Sequence, residues 1–220
     1  MTHGGPRCRD NYTHALIPTT QVGLTDASNP ILFFHVDRRS SQQKTSRTIA
    51  LQLELFPIAQ ETATSPSARI DESPLYASTI LVPVSVLPGI VGFRLPKVVS
   101  LQLKTGQFYR WLLQISCHQE NSTPFSDIYD IDDISGILHP VELDDERATE
   151  LAQAPPLEQV ALYAKYGIWH ESLSLLAQLR QAEPENATLI VEWKTLLESA
   201  GFGTRYRLSP QQLADSPLWF

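Results

Sequence analysis

Apolar and polar residues alternate one by one through residues 48–56 (TIALQLELF). Ile49, Leu51, Leu53 and Leu55 fall on one side and Gln52 and Glu54 on the other, which predicts a half-buried strand with one wet face. The same period of two runs through residues 107–118 (QFYRWLLQISCH). There Tyr109, Trp111, Leu113, Ile115 and Cys117 share a face suited to a sandwich core. Shorter strand-type runs stand at 31–36 (ILFFHV), 76–85 and 89–95, the last two separated by a Pro88-Gly89 turn. A further strand is expected at 128–134 or 136–143. Residues 1–30 are mostly polar with Gly, Pro and Thr and predict an extended arm, while the Ser/Thr/Pro-rich stretch 57–74 predicts a loop. Six or seven short strands without interleaved helical pattern predict an antiparallel sandwich rather than βαβ units.

The period changes after residue 143. Asp144-Asp145-Glu146 suits a helix N-terminus, where carboxylates offset the positive end of the dipole. Pro155-Pro156 opens a further helix, since Pro is tolerated in a first turn. Val160, Ala161, Tyr163 and Ala164 are its predicted apolar face, and Gly167 ends it. Leu173, Leu175, Leu176 and Leu179 continue the core until Glu183-Pro184. Asn186 caps a third helix carrying Leu189, Ile190, Trp193, Leu196 and Leu197 at helical spacing, closed by Gly201. No second copy follows at a period of about 34 residues, so the segment is not a solenoid. A short helix is expected from Ser209-Pro210, and the apolar end Pro217-Leu218-Trp219-Phe220 is expected to pack on its own domain. The predicted fold is α+β: an N-terminal antiparallel immunoglobulin-like sandwich followed by a three-helix element. The expected divisions are an arm (1–9), the sandwich (10–143), the helical element (144–202) and a tail (203–220).

Leu103, Gly106 and Tyr109 have the spacing L-x-x-G-x-x-Y. In immunoglobulin-like sandwiches a Tyr so placed folds its hydroxyl back onto the preceding corner. The formal net charge of −7 on 220 residues and the absence of a dense Lys/Arg cluster argue against a nucleic-acid partner. The densest basic stretch is only Arg38-Arg39 with Lys44 and Arg47. No apolar run approaches the roughly 18–20 residues that span a bilayer. The first residues show no apolar signal core, which fits a cytoplasmic protein or an exported one whose leader is missing from the chain. Two cysteines, Cys8 and Cys117, are too few for a structural zinc site. They are either one disulfide or two thiols.

The chemistry-bearing residues form no recognisable catalytic set. The six histidines lack the HExxH spacing, and neither a G-x-S-x-G elbow nor a phosphate-binding Gly loop is present. His35 and Asp37 share a strand face and, with His118, are the residues a hydrolase of unusual design would use. Asp127, Asp130, Asp132 and Asp133 offer hard oxygen ligands for calcium, although charges on a sheet edge also discourage edge pairing. No catalytic residue, cofactor or metal ligand is assigned.

Two resemblances add to this. Gly167-Ile168-Trp169-His170-Glu171-Ser172-Leu173 and Pro184 resemble a tetratricopeptide unit, with the bulky Val160 and Leu179 where such units carry small residues. The chain as a whole resembles the cyanobacterial domain-of-unknown-function 928 family. The shared features are GGPRC near the start, ALIP at 15–18, PILFFHV, LPGIVGFRLP at 87–96, LKTGQFYRWLLQISC at 103–117 and ALYAKYGIWHESLSLLAQLR at 161–180. Where members carry a Gly-Trp strand after the Cys, this chain has the longer, acidic SDIYDIDDISGILHPVEL. The resemblance implies an exported, periplasmic or extracellular protein and a Cys8–Cys117 disulfide. It brings no activity and no catalytic residues. The expectation is therefore a non-enzymatic interaction or structural protein with a protein partner. Tyr166, Trp169 and His170, near the helical turn, together with the 57–74 loop, are its expected exposed contacts. A calcium-dependent carbohydrate- or protein-binding module and a His/Asp hydrolase are the alternatives.

Overall fold

The computed structural model describes residues 13–36, 48–58, 73–100, 102–117, 132–203, 213 and 216–219. The chain is mixed α+β. Its strands are β1 (Thr13–Ala15), β2 (Val22–Thr25), β3 (Ile31–Val36), β4 (Thr48–Pro57), β5 (Tyr76–Pro83), β6 (Gly89–Arg94), β7 (Tyr109–Cys117), β8 (Asp132–Pro140) and β9 (Leu218–Trp219). A one-turn helix α1 (Lys97–Ser100) joins β6 to β7. Among the described residues four helices of defined bounds follow β8: α2 (Asp145–Gln153), α3 (Pro156–Lys165), α4 (Trp169–Ala182) and α5 (Ala187–Ser199).

The strands form an inner sheet in the order β1-β3-β6-β9 and an outer sheet in the order β2-β8-β7-β4-β5. Alternation explains the outer sheet. Ile49, Leu51, Leu53 and Leu55 of β4 and Tyr109, Trp111, Leu113 and Ile115 of β7 are buried in one core with Leu32, Phe34, Val36, Val91 and Phe93 of the inner sheet. The other face of the inner sheet is equally apolar. Leu16, Ile31, Phe33 and Ile90 share a second core with Trp169, Leu173, Leu176, Trp193 and Leu197 of the helices. The molecule is therefore layered outer sheet, inner sheet, helices.

Several expectations change. The stretch 1–30 is not wholly an extended arm, because residues 13–15 and 22–25 are strands. Each is short, and each finds its backbone partners in a distant strand: β1 on β3 and β2 on β8. The sheets are not purely antiparallel, since β2 runs parallel to β8 and β9 parallel to β6. One strand, β8, replaces the two alternatives drawn around residue 135. The helical part has four helices rather than three. Its extra member α2 starts where Asp144 accepts the Arg147 N–H at 2.9 Å, a side-chain cap for an otherwise orphaned donor. Asn186 caps α5 in the same way, accepting from Thr188 and Leu189. On α3 the buried residues are Val160 and Leu162, while Ala161 and Ala164 are exposed. Ser209 and Pro210 lie outside the described residues.

Tyr109 is buried at the start of β7, and its hydroxyl accepts the Lys104 N–H at 2.8 Å. It also lies 3.4 Å from the Gln102 carbonyl, to which it donates. Gly106 takes φ +79° in the turn between, a conformation that costs Gly little. Leu103 packs against the sandwich core.

Trp111 packs edge-on to Phe34, with ring centroids 5.4 Å apart. On β8 its cross-strand neighbour is Gly136. A Cβ at Gly136 would stand 2.4 Å from Trp111 Cζ2 and 3.0 Å from Ile17 Cδ1. Both neighbours are buried. Gly136→Ala should therefore lower unfolding stability by about 1–3 kcal/mol through overpacking, read as a lower urea midpoint at unchanged slope.

Candidate functional site

The α3–α4 pair faces the loop between β2 and β3 across a cleft of about 220 Å³. Helical spacing places the lining. Gln159 and Tyr163 stand at i, i+4 on α3, and Glu171, Ser174 and Gln178 at i, i+3, i+7 on α4, so each set shares one helix face. Asn29 and Pro30 come from the loop and Arg94 from the end of β6; Ile31 and Leu175 add apolar surface.

Glu171 anchors the loop to the helix. Its carboxylate accepts the Thr25 hydroxyl at 2.6 Å and the Asp26 N–H at 3.3 Å. The Thr25 oxygen in turn accepts the Ala27 N–H at 3.2 Å. Glu171 lies in the first turn of α4, where the helix dipole and these donors favour its charged form. Burial outweighs them and pushes the carboxyl up to about 7. The nearby Asp26 charge adds to the rise. The Tyr163 hydroxyl is pushed up as well, first by burial and then by Asp26 and Glu171. Asp26 itself is raised by burial. The buried Ser174 hydroxyl has no hydrogen-bond partner among the described residues.

The expected contact surface at the helical turn changes. Trp169 and His170 are buried, not exposed. Trp169 Nε1 donates to the Leu16 carbonyl at 2.8 Å, and its ring joins the helix–sheet core. His170 Nδ1 lies 3.3 Å from the Ile31 carbonyl. A carbonyl only accepts, so Nδ1 carries the proton. Nε2 points at Gly23, where an added Cβ would sit 2.2 Å from it. Burial pulls this imidazole down to about 4 despite the bond to Ile31. Tyr166 is half-buried and donates its hydroxyl to Glu150, with Arg147 and Lys165 about its ring at 5.1 and 5.2 Å. That bond is the main reason its hydroxyl is pushed up to about 12.

The other expected residues are described only in part. His35 is buried on the helix-facing side of β3. Asp37, His118, Cys8, Asp127, Asp130 and the 59–72 part of the expected loop lie outside the described residues. His35 of the hydrolase set, Cys117 of the disulfide and two of the four calcium candidates, Asp132 and Asp133, are thus described without the rest of their sets. Asp132 and Asp133 open β8 opposite Ile115 and Gln114. Among the described residues no group of three or more His, Cys, Asp or Glu side chains could hold a metal ion. No described helix is long and apolar enough to cross a membrane.

The cleft residues were absent from the sequence candidates, although the polar stripe at 171, 174 and 178 is visible at helical spacing. What the pattern omits is the loop that closes the cleft, because β2 is too short to announce itself.

His170 and Glu171 pull stability in opposite directions with pH. Glu171 holds its proton more tightly folded than unfolded, so its contribution is largest below its ordinary 4.5 and is lost as pH rises toward about 7. His170 holds its proton less tightly folded, so stability is lost as pH falls from 6.5 toward about 4. Each effect reaches roughly 3 kcal/mol at about 1.4 kcal/mol per pH unit, and the two oppose each other between pH 4.5 and 6.5. Glu171→Gln should expose the His170 slope, with stability falling on acidification. His170→Gln should expose the Glu171 slope, with stability falling as pH rises. Urea unfolding across this range checks both; identical profiles in all three proteins would contradict the assignment.

Among curated proteins none matches the chain. The family described as Domain of Unknown Function (DUF928) matches residues 3–212. That span takes in both sheets except β9, the cleft and all the helices. The layered sheet–sheet–helix chain with its polar cleft thus belongs to the DUF928 family.

Proposed function

We propose that this chain is an exported, non-enzymatic interaction protein that receives an extended hydrophilic segment of a partner protein in the α3–α4 cleft. The lining carries the proposal. Asn29, Gln159 and Gln178 are amides able to donate and accept toward a peptide backbone, and Tyr163 adds a hydroxyl. Arg94 is exposed at the mouth and supplies a fork for a carboxylate. A non-enzymatic role is favoured because the Ser174 hydroxyl has no base within hydrogen-bond reach among the described residues. Glu171 is engaged in holding the loop through the Thr25 hydroxyl and the Asp26 N–H.

Scaffold type supports the same proposal. The Tyr109 hydroxyl folded onto Lys104 and Gln102 matches the corner of immunoglobulin-like sandwiches. The α3–α4 pair, joined through Gly167 at φ +75°, supports a tetratricopeptide-like unit whose concave face is the cleft. Export rests on the family resemblance, which also implies the Cys8–Cys117 disulfide.

The site is tested with a library of hydrophilic peptides bearing acidic residues, read by fluorescence anisotropy on the full chain. Arg94→Ala should weaken the best binders about tenfold or more, as loss of a charged hydrogen bond does. Glu192→Ala, exposed on α5, should leave them unchanged. Binders indifferent to Arg94→Ala and Gln178→Ala would place recognition elsewhere. Export is tested separately by intact mass of protein from its native host. Reduction should add two hydrogens, and free alkylation of both cysteines without reductant would remove the disulfide and its support for export.

A further inference from the structure

Among the described residues, strand β5 ends the outer sheet and has a ladder partner on one side only, β4. The pairing runs unbroken from Thr48 opposite Pro83 to Leu55 opposite Tyr76. Protein edges are normally blunted by charged side chains, bulges or prolines. Here YASTILVP contains no charged residue, its register shows no bulge, and its one proline is the last residue. Ala77, Thr79 and Leu81 point away from the core and are exposed, Leu81 at 60%. On the core side, Tyr76 and Ile80 are only partly buried against the sandwich interior. Among the described residues no strand pairs with the backbone groups of this edge, and apolar surface is exposed beside them.

We propose that β5 is a self-association edge. Two copies of the chain pair antiparallel through β5 about a two-fold axis, which makes one continuous sheet of five strands from each copy. A second copy is the occupant that the chemistry favours. The chain's net charge of −7 disfavours self-contact in general, but an uncharged strand faces itself without placing like charges opposite. Keeping both cores on the same side requires residues of like orientation to face each other. Centring on Thr79 achieves this and leaves Pro83, which has no N–H to give, outside the ladder. Thr79 then faces its counterpart, Ala77 faces Leu81, Ser78 faces Ile80 and Tyr76 faces Val82. The small Ala77 makes room for Leu81, and Tyr76 with Val82 extends the core across the axis. The edge belongs to the layer opposite the cleft, so it does not rest on the proposed peptide site.

Sedimentation equilibrium of the full chain, up to roughly 100 µM, should give twice the 24.6 kDa chain mass. Thr79→Lys places two ammonium groups opposite each other and should weaken dimerisation about tenfold or more, with an unchanged circular dichroism spectrum. In a second test, Thr79→Cys should form a covalent dimer in an oxidising glutathione buffer. Directly opposed residues on antiparallel strands lie within disulfide reach. Gln52→Cys, on the same face one strand in, should not. A monomer across the concentration range, a dimer untouched by Thr79→Lys, or no Thr79→Cys cross-link would each overturn the proposal. A monomer that instead binds an extended peptide along β5 would also overturn it and give the edge to a different partner.

Discussion

Every layer of the molecule meets at β3 and β6, whose side chains alternate between two dry cores. Leu32, Phe34 and Val36 point toward the outer sheet, and Ile31 and Phe33 toward the helices. A sheet with no wet face must be covered on both sides. Burying each such side chain contributes about 1.5–3 kcal/mol, so the helices are part of the folding unit rather than an accessory to it. Without them Leu16, Ile31, Phe33 and Ile90 would face water as one patch. Leu213 joins this second core, and Leu218 of β9 packs against it. The chain therefore spends a distant segment on completing the same face.

The cleft is a consequence of that layering. Where α3 and α4 cover the inner sheet, the loop after β2 has to pass between sheet and helices with its backbone donors satisfied. Glu171 and Thr25 do this by taking the Asp26 and Ala27 N–H groups. A carboxylate is costly to bury, and the rise of Glu171 to about 7 is the form that cost takes. His170 next to it has the opposite shift and is neutral for the same reason. Two adjacent buried titratable groups thus coexist without forming an ion pair, and burial disfavours the charged form of each.

Strands β3 to β7 were legible in the sequence because each carries its own pattern: alternation in β4 and β7, continuous apolar runs in β3 and β6. The four helices were signalled by Asp144, Pro155-Pro156 and Asn186, although the first was not counted as an element. What stayed hidden depends on non-local pairing. β1, β2 and β9 are four residues or fewer, and their strand character comes from hydrogen bonds to β3, β8 and β6. The parallel pairings were equally unreadable, since strand direction is set by the path of the chain and leaves no trace in alternation. Trp169 and His170 were misplaced for a different reason. They adjoin the Gly167 turn and so suggested exposure, yet Trp169 is four residues before Leu173 and shares its buried face. For the cleft, the polar stripe was legible and the loop that closes it was not.

Three consecutive residues at the start of α4 set how the helix layer sits on the sheets. Trp169 bonds the Leu16 carbonyl, His170 the Ile31 carbonyl, and Glu171 the Thr25 hydroxyl and Asp26 N–H. The partners lie beyond β1, at the start of β3, and at the end of β2. Apolar burial is non-directional and would tolerate α4 sliding or turning over Ile31 and Phe33. Hydrogen bonds tolerate neither, because a displaced donor or acceptor in this dry layer costs about 1–3 kcal/mol. Gly23 fits the same logic, since any Cβ there would collide with the His170 ring. The Trp169-His170-Glu171 triplet is therefore better understood as the register of the helix layer than as a surface. It also explains why the cleft has a defined shape: its helical wall is held by bonds made within the protein.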